Sequence, residues 1–310
     1  MVCRIKGGRS DNEYGPKTRS ALEIWANGLK IGRVEFHTIV DKGLQGVEST
    51  FSPITIGYGD QVICCLKQHF RMRPAAMDTR KAIVITGAAG NLGSAVVAQL
   101  ARGNAALACL DRSAEKLDRL VRGLPAEIEI LPIAGTDLAN PDACAAAVAQ
   151  AKERFGGIGA LVNTVGGFQV GSVIEALGQW DAMMTMNART ALAISGAVLP
   201  IMQAAGYGRI VHVAAEAGLK APAGLAAYAA SKAAVIRLTE SIAQEYRPDG
   251  ITANCVLPGI IDTPQNRAAM PNAKRDSWVS PESIARLIAF LVSPESAVVT
   301  GAAIPATGLD

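Results

Sequence analysis

The chain has 310 residues, half of them hydrophobic, and a net charge of +3 at neutral pH. This length suits one large α/β domain or two smaller ones. The charge is too small to argue for nucleic acid or a membrane surface as a partner, so we expect neither.

Cysteine usage and the absence of a targeting pattern predict a cytoplasmic protein. The six Cys include no C-x-x-C pair and the chain has only three His, which argues against a metal site. We see neither a charged-then-apolar leader nor an apolar run of 18 residues. We therefore expect a soluble protein of a reducing compartment.

The composition of the chain changes near residues 73–81. Residues 1–76 carry a net charge of +4 and four Ala, whereas the remaining 234 residues carry −1 and about fifty Ala. We therefore predict an N-terminal extension over residues 1–76 and a single nucleotide-binding domain over residues 77–310.

The extension is poorly patterned. Residues 21–40 predict a short strand or two, with turns at Asn27-Gly28 and at residues 30–32, and residues 62–66 form a short apolar run. Three interpretations stay open: a small accessory segment, a disordered or loosely attached extension, or upstream sequence read through ahead of a true start at Met77. We favour the third, because the domain that follows is complete without the extension.

The second segment opens with a candidate phosphate-binding loop. A short apolar strand, AIVIT (82–86), runs into GAAGNLG (87–93) and then into a helical pattern. Strand, glycine-rich turn and helix are the context that a dinucleotide-binding loop requires. Gly87, Gly90 and Gly93 would allow a tight turn, close approach of a pyrophosphate and close helix packing.

The next strand, ALACL (106–110), ends at Asp111. An acidic residue there is placed to accept hydrogen bonds from the adenosine ribose and to repel a 2′-phosphate, so we expect NAD(H) to be preferred. Arg112 could serve a phosphate, which leaves NADP(H) open. The alternative is that Asp111 caps the helix that follows.

Strands and helices then alternate. EIEILPI (127–133) and ALVNTVGG (160–167) predict strands, and residues 141–155 predict a helix between them. Near the C-terminus, residues 280–294 predict a helix capped by Ser280, and residues 301–308 predict a last strand. The alternation predicts a single Rossmann-type, doubly wound parallel sheet with helices on both faces.

Tyr228 and Lys232 lie four residues apart in AAYAASKAAV (226–235), a run with strong helix propensity. On a helix they share one face, and the ammonium is expected to lower the Tyr pKa from its ordinary value of about 10. Such a Tyr could donate a proton near neutral pH. The alternative is an exposed helix with an incidental Tyr and Lys.

Residues 80–308 resemble the short-chain dehydrogenase/reductase family in the order and spacing of several motifs. These are TGAAGNLG, Asp137 in TDL, NTVG (163–166), Asn187 in MNARTALA, the Tyr228–Lys232 pair, and Pro258-Gly259 with Thr263. Two motifs depart in detail: Asn91 stands where the family prefers a small residue, and NTVG keeps only Asn163 and Gly166 of the family's N-N-A-G.

The resemblance implies a role for each matching residue. Tyr228 would donate the proton, Lys232 would assist it and hold the nicotinamide ribose, and Asn187 would hold a water of the proton relay. The implied cofactor contacts are Gly87, Ala89, Gly90, Asn91, Leu92, Gly93, Asp111, Arg112, Asp137, Leu138, Asn163, Gly166, Tyr228, Lys232, Pro258, Gly259, Ile261 and Thr263.

A third departure from the family concerns its catalytic Ser. This Ser stands 13 residues before the Tyr, and here that position is Ala215. Losing such a donor to the substrate oxygen costs about 10²–10³ in rate. Nearby Glu216 reaches the substrate pocket or is a solvated loop carboxylate, and the second interpretation is favoured. His212 stands in place of a family Asn, which predicts a structural or indirect role.

In lacking this Ser, the chain resembles the dihydropteridine reductase branch of the family. Residues 257–282 are also similar to that branch. This resemblance implies a quinonoid or pterin-like substrate, which accepts hydride with less activation. Residues 262–282 are predicted to form a mobile lid, with Met270 and Trp278 closing over a flat substrate. Alternatively, Trp278 anchors the lid to the core.

Together these features predict an NAD(P)H-dependent oxidoreductase acting on a small carbonyl, quinonoid or pterin-like substrate. The alternative is an NAD-binding regulatory or assembly protein with weak or no catalysis, because Ala215 replaces the Ser. The resemblance also implies that helices around 180–204 and 226–247 pair into a homodimer or homotetramer.

Overall fold

The computed structural model describes residues 2–7, 17–26, 29–39, 81–103 and 105–308. The chain divides into two units, Met1–Ala75 and Ala76–Asp310. The described part of the first unit is an antiparallel sheet in the order β1-β2-β3. Its strands are β1 (Val2–Gly7), β2 (Lys17–Ala26) and β3 (Leu29–Ile39).

The prediction of a short strand or two within residues 21–40 is confirmed with two strands, β2 and β3, of which β2 begins earlier, at Lys17. The turn predicted at residues 30–32 is wrong, because these residues belong to the continuous strand β3, which pairs with β2. The predicted turn at Asn27-Gly28 and the apolar run 62–66 lie outside the described residues.

The second unit contains a seven-stranded sheet in the order β10-β9-β8-β7-β4-β5-β6, and every neighbouring pair is parallel. Its strands are β4 (Ala82–Thr86), β5 (Leu107–Asp111), β6 (Ile130–Ala134), β7 (Ile158–Asn163), β8 (Gly208–Val213), β9 (Ile251–Pro258) and β10 (Ala303–Ala306). The strand order reverses between β4 and β7, and ligands of such sheets bind where it reverses.

Eight α-helices connect these strands within residues 81–103 and 105–308. They are α1 (Asn91–Ala101), α2 (Ala114–Arg122), α3 (Pro141–Phe155), α4 (Val173–Met183), α5 (Thr190–Ala205), α6 (Ala226–Tyr246), α7 (Pro264–Ala269) and α8 (Pro281–Leu291). A π-helical turn, Met184–Arg189, joins α4 to α5. The predicted cap of α8 is confirmed, because Ser280 Oγ accepts from Ser283 N at 3.2 Å.

Two apolar clusters cover the two faces of the sheet. Alternate residues of β4 divide between them: Ala82 and Val84 pack with α3, α5 and α6, whereas Ile85 packs with α1, α2 and α8. Burying a side chain such as Ile85 stabilises the fold by about 1.5–3 kcal/mol. The predicted fold class, a doubly wound parallel sheet with helices on both faces, is confirmed.

Among the described residues, the continuous helical stretch Val173–Ala205 is long and apolar enough to cross a membrane by length and composition. Its Ile194, Val198 and Met202 are fully buried in the cluster against the sheet. We therefore assign α5 as a core helix of the α/β unit.

Candidate active site

The glycine-rich loop follows β4 at the point where the strand order reverses. Gly87 has a φ of +63°, in the left-handed region that favours glycine. A Cβ on Gly93 would lie 2.0 Å from the Gly87 carbonyl oxygen, and one on Gly90 would lie 3.1 Å from it. Only glycine lets α1 pack this closely on the turn.

The start of α1 suits an anion. No described side chain caps this helix, so its first-turn N–H groups are available to a pyrophosphate. Leu92 points into the core, and Asn91 Nδ2 donates to Gln265 Oε1 at 2.7 Å. The loop therefore offers backbone groups and open space, which fits a dinucleotide.

Asp111 ties the end of β5 to this loop. Its Oδ2 accepts from Ala89 N and its Oδ1 from Ser113 N, both at 3.0 Å. Ser113 caps α2 by accepting from Lys116 N at 3.3 Å, so Asp111 is not the helix cap. Each carboxylate oxygen has a second lone pair, which leaves room for a ribose hydroxyl. The neighbouring Arg112 is exposed.

Asp137 and Leu138, which are both among the implied cofactor contacts, face different ways. Asp137 is exposed, and its Oδ1 accepts from Ala139 N at 3.0 Å. Leu138 is buried in the core, and its carbonyl accepts from Cys144 Sγ at 3.5 Å. Leu138 can therefore contact a cofactor only through its backbone.

A buried hydrogen-bond chain runs beneath the site. Thr86 Oγ1 donates to Asn163 Oδ1 at 2.6 Å, and Asn163 Nδ2 lies 3.4 Å from His212 Nδ1. On the other side of the ring, Nε2 lies 3.1 Å from Ser195 Oγ, whose hydrogen is directed to the Ala191 carbonyl at 2.7 Å. The side chain of Asn163 thus acts within the protein rather than on a cofactor.

This network assigns the protonation of His212. Ser195 has already used its hydrogen, so Nε2 donates to it and Nδ1 accepts from Asn163. Burial, and secondarily the charge of Lys232, lower the pKa of His212 to about 4. The ring is therefore neutral, as the predicted structural role requires.

Tyr228 and Lys232 lie on one face of α6. Lys232 Nζ donates to the Val213 carbonyl at the end of β8, at 3.0 Å, and lies 5.9 Å from the centre of the Tyr228 ring. Burial lowers the pKa of Lys232 to about 8 and raises that of Tyr228 to about 12. The expected lowering of the Tyr pKa is therefore wrong for this structure, in which burial raises the pKa.

Asn187 is buried in the π-helical turn. Its Nδ2 donates to Ser231 Oγ at 2.9 Å and to the Gly167 carbonyl at 3.1 Å, while its Oδ1 accepts from Gly167 N at 2.9 Å. A Cβ on Gly166 would lie 2.7 Å from Asn187 Oδ1 and 2.8 Å from Lys232 Nζ. The glycine thus lets the loop after β7 lie directly against both side chains.

Two residues near the pair were missed by the sequence analysis. Ser231 Oγ donates to the Tyr228 carbonyl at 2.7 Å. Its position one turn after Tyr228 on the predicted helix could have indicated that the two residues lie close together. The Phe168 ring meets the Tyr228 ring edge-on, with centroids 4.9 Å apart. Phe168 stands two residues beyond Gly166, in a loop whose course the sequence does not specify.

Ala215 and Glu216 begin a single 3₁₀ turn, Glu216–Gly218, after β8. Ala215 is buried and has no hydroxyl to offer. Gly218 packs against α6, where a Cβ would lie 2.9 Å from the Lys232 carbonyl carbon. Glu216 is exposed.

The predicted nicotinamide loop, residues 258–263, is the stretch that the family resemblance places around the nicotinamide, and it begins at the last residue of β9. Gly259 N donates to the Ala306 carbonyl at 3.2 Å. Ile261 forms an isolated parallel β-bridge with Val279, so the start of the predicted lid lies beside a residue near its end. Thr263 is buried and caps α7 by accepting from Asn266 N at 3.2 Å.

The lid residues Met270 and Trp278 differ in burial. Trp278 is 8% exposed, which supports its role as an anchor of the lid, and the Arg275 guanidinium lies 5.7 Å from its ring centre. Met270 ends α7 and is partly exposed. An open cleft of about 480 Å³ separates α7 from α1 and α8.

A glycine loop lies at the switch point of the parallel sheet, and a partly buried Tyr with a buried Lys lies beyond the carboxyl ends of its strands. This combination defines a nicotinamide-dependent oxidoreductase of Rossmann type. A family model described as short chain dehydrogenase matches residues 81–274. The chain belongs to this family.

Named relatives and solved structures agree with this assignment. The chain is 33% identical over 241 residues to the 3-oxoacyl-[acyl-carrier-protein] reductase FabG of Thermotoga maritima, covering 74% of this chain and 96% of the relative. It is similar to the crystal structure of levodione reductase, with 27% identity, a TM-score of 0.68 and coverage of 74% and 96%. NAD⁺-bound xylitol dehydrogenase gives 26% identity, a TM-score of 0.69 and coverage of 75% and 100%. NAD(P)-dependent oxidoreduction is therefore the general activity of the chain.

Proposed function

We propose that the domain reduces a small carbonyl, quinonoid or pterin-like substrate, with Tyr228 as proton donor. The observation that carries this proposal is the pairing of the partly buried Tyr228 with the buried Lys232, beside the Gly166 loop. A pKa of about 12 keeps Tyr228 protonated at neutral pH, as a proton donor must be. Lys232 keeps two ammonium hydrogens beyond the one given to Val213, which suits it to hold a ribose hydroxyl.

NAD(H) is the proposed cofactor, and a bound nicotinamide supplies the hydride. The glycine loop and the uncapped start of α1 would hold its pyrophosphate, and Asp111 would accept from its ribose. A 2′-phosphate beside this carboxylate would be repelled. Comparing the dissociation constants of NADH and NADPH tests the preference, and a clear preference for NADPH would refute this role of Asp111.

Ala215 favours a substrate that needs little activation. Without the hydroxyl, a ketone oxygen loses a hydrogen-bond donor, whereas a quinonoid acceptor takes a hydride without it. The similarity of residues 257–282 to dihydropteridine reductases supports a pterin-like substrate. Ala215→Ser tests this point, because a gain of about 10²-fold on ordinary ketones is expected if Ala215 sets specificity.

The decisive experiment measures oxidation of NADH with a panel of quinonoid dihydropterins, quinones and ketones. We expect turnover with a quinonoid acceptor, a loss of about 10²–10⁴-fold in Tyr228→Phe, and full activity in the control Tyr246→Phe. Tight NADH binding without oxidation of any acceptor would support the alternative, a regulatory or assembly protein.

We further propose that the protein is a cytoplasmic homodimer or homotetramer. Three free Cys, at 109, 144 and 255, are buried, which suits a reducing compartment. Helix α4 exposes apolar side chains on one face, among them Ile174, which is 90% exposed, and Leu177, which is 86% exposed. Such a face is typical of an interface between protein chains.

A further inference from the structure

We propose that Glu216 faces the substrate and selects acceptors that present an N–H group or a cationic nitrogen beside the carbon that is reduced. This inference rests on the proposed reductase function and narrows its substrate class to imines, iminium ions and nitrogen heterocycles. The absent Ser hydroxyl at Ala215 and the Glu216 carboxylate next to it are the two features that carry the inference.

The first step is the position of the carboxylate. Glu216 Oε2 lies 3.8 Å from the place of a Cβ on Gly259, at the start of the predicted nicotinamide loop. The side chain therefore extends from the end of β8 toward the loop after β9. A substrate held between these two strand ends and Tyr228 would meet this carboxylate.

The second step is rigidity. The turn carrying Glu216 is closed by Gly218 N donating to the Ala215 carbonyl at 2.9 Å, and by Leu219 N donating to the Glu216 carbonyl at 2.9 Å. Gly218 also packs directly on the backbone of α6 at Lys232. The base of the Glu216 side chain is thus fixed relative to the catalytic pair.

The third step is the lack of a competing partner. Glu216 lines an open cleft of about 280 Å³ together with Ala217, Lys220, Ala221 and Pro222. Within the described residues, neither Lys220 nor another cation forms an ion pair with it. The carboxylate is an acceptor only, with lone pairs to offer a ligand.

The fourth step is the charge that develops during reduction. Hydride transfer to a ketone places negative charge on oxygen, which a nearby carboxylate disfavours. Reduction of an iminium ion adds the hydride to carbon, moves the C=N π electrons onto nitrogen and cancels its positive charge, leaving an amine and the oxidised nicotinamide. A neutral imine also needs one proton on nitrogen, which Tyr228 can donate.

Because the positive charge of an iminium ion disappears in the reaction, Glu216 favours its binding more than its transition state. The predicted effect of removing the charge therefore appears mainly in KM. A hydrogen bond between a charged and a polar group corresponds to about 10- to 100-fold in affinity.

The test compares the full-length wild type with Glu216→Gln on two matched pairs of acceptors. One pair is a quinonoid dihydropterin and menadione, and the other is 2-methyl-1-pyrroline and cyclopentanone. We expect KM of Glu216→Gln for the nitrogen acceptors to rise about 10- to 100-fold and their kcat/KM to fall by less than that, while kcat/KM of their nitrogen-free partners holds or rises. The control Glu153→Gln, exposed on α3, should change neither pair.

Equal effects of Glu216→Gln on both members of each pair, or no effect at all, would overturn the proposal in favour of a solvated loop carboxylate. A second readout does not depend on turnover: calorimetry of pyrrolidinium and cyclopentanol binding to the protein saturated with NAD⁺. Loss of pyrrolidinium affinity in Glu216→Gln, without loss for cyclopentanol, supports the role of Glu216 even if no acceptor is reduced. In that case only the proposed reductase function fails.

Discussion

Burial acts on Tyr228 and Lys232 in the same sense, toward the uncharged form of each. The pKa of Tyr228 rises to about 12 and that of Lys232 falls to about 8. As pH rises, Lys232 therefore loses its proton well before Tyr228 does. Reduction requires both groups to be protonated. The upper pH limit of this state is therefore set by Lys232 rather than by Tyr228.

Reductase activity is accordingly expected to fall as pH rises through about 8. Deprotonation of Lys232 removes the charge that favours phenolate formation and one donor to the ribose. The measurement is a pH profile of kcat between pH 6 and 10. Lys232→Arg is the control, since guanidinium stays charged and its residual activity should lack this limb. A flat wild-type profile over this range would contradict the assignment.

At the scale of elements, the hydrogen-bond chain through His212 joins the ends of three strands. Thr86 ends β4, Asn163 ends β7, and His212 precedes the residue of β8 that holds Lys232. A neutral imidazole satisfies the chain with one donor and one acceptor. A second ring proton would face the Asn163 amide hydrogens, so charging His212 must disrupt it.

The free energy of unfolding is therefore expected to decrease as the pH falls from 6.5 to about 4. The ordinary pKa of His is 6.5 and that of folded His212 is about 4, so the unfolded chain takes up the proton first. The contribution is complete above pH 6.5 and is lost as pH falls toward 4, by roughly 3 kcal/mol in total. Urea unfolding at pH 7.5 and 5 measures about 2 kcal/mol of this loss. The same pH difference in His212→Asn as in the wild type would disprove this origin.

Gly93 offers a test of the loop. Because a Cβ there would lie 2.0 Å from the Gly87 carbonyl oxygen, Gly93→Ala must move α1 or the turn. We expect NADH affinity to fall by roughly 10- to 100-fold, measured by fluorescence titration. Gly178→Ala is the matched control, since among the described residues no atom outside its own turn of helix lies within 4 Å of its added Cβ. Equal affinities of the two variants would show that the loop tolerates the displacement.

These elements also show what the sequence can specify. The strand β4, the glycine loop and α1 follow from apolar runs and local turn chemistry, which lie within a few adjacent residues. The π-helical turn around Asn187 does not, because MTMNAR has no local signal for it and the turn is held by contacts to Gly167 and Ser231. The raised pKa of Tyr228 was likewise missed, because it depends on burial by distant segments.

At the scale of the whole molecule, the exposed face of α4 bears on assembly. If this face lies between copies of the chain, Leu177→Glu should place a charge in an apolar interface and shift the protein toward a monomer. Light scattering after size-exclusion chromatography measures the mass. Glu153→Gln on α3 serves as the control. An unchanged mass in Leu177→Glu would exclude this face from the interface.

The division of the chain into two units leads to the last prediction. All seven strands of the parallel sheet, the glycine loop, Asn187 and the Tyr228–Lys232 pair lie within the second unit, Ala76–Asp310. Among the described residues, the two apolar clusters on the faces of the sheet draw on residues 82–306, and burial of this kind is the main force that stabilises a domain. Residues 77–310 expressed alone are therefore expected to fold and to bind NADH with the affinity of the full chain, within about twofold. Thermal unfolding and NADH titration of both forms measure this, with Gly93→Ala in the shorter form as the control for specific binding. Loss of folding or of NADH affinity in the shorter form would show that residues 1–76 are a functional part of the protein and not upstream sequence ahead of Met77.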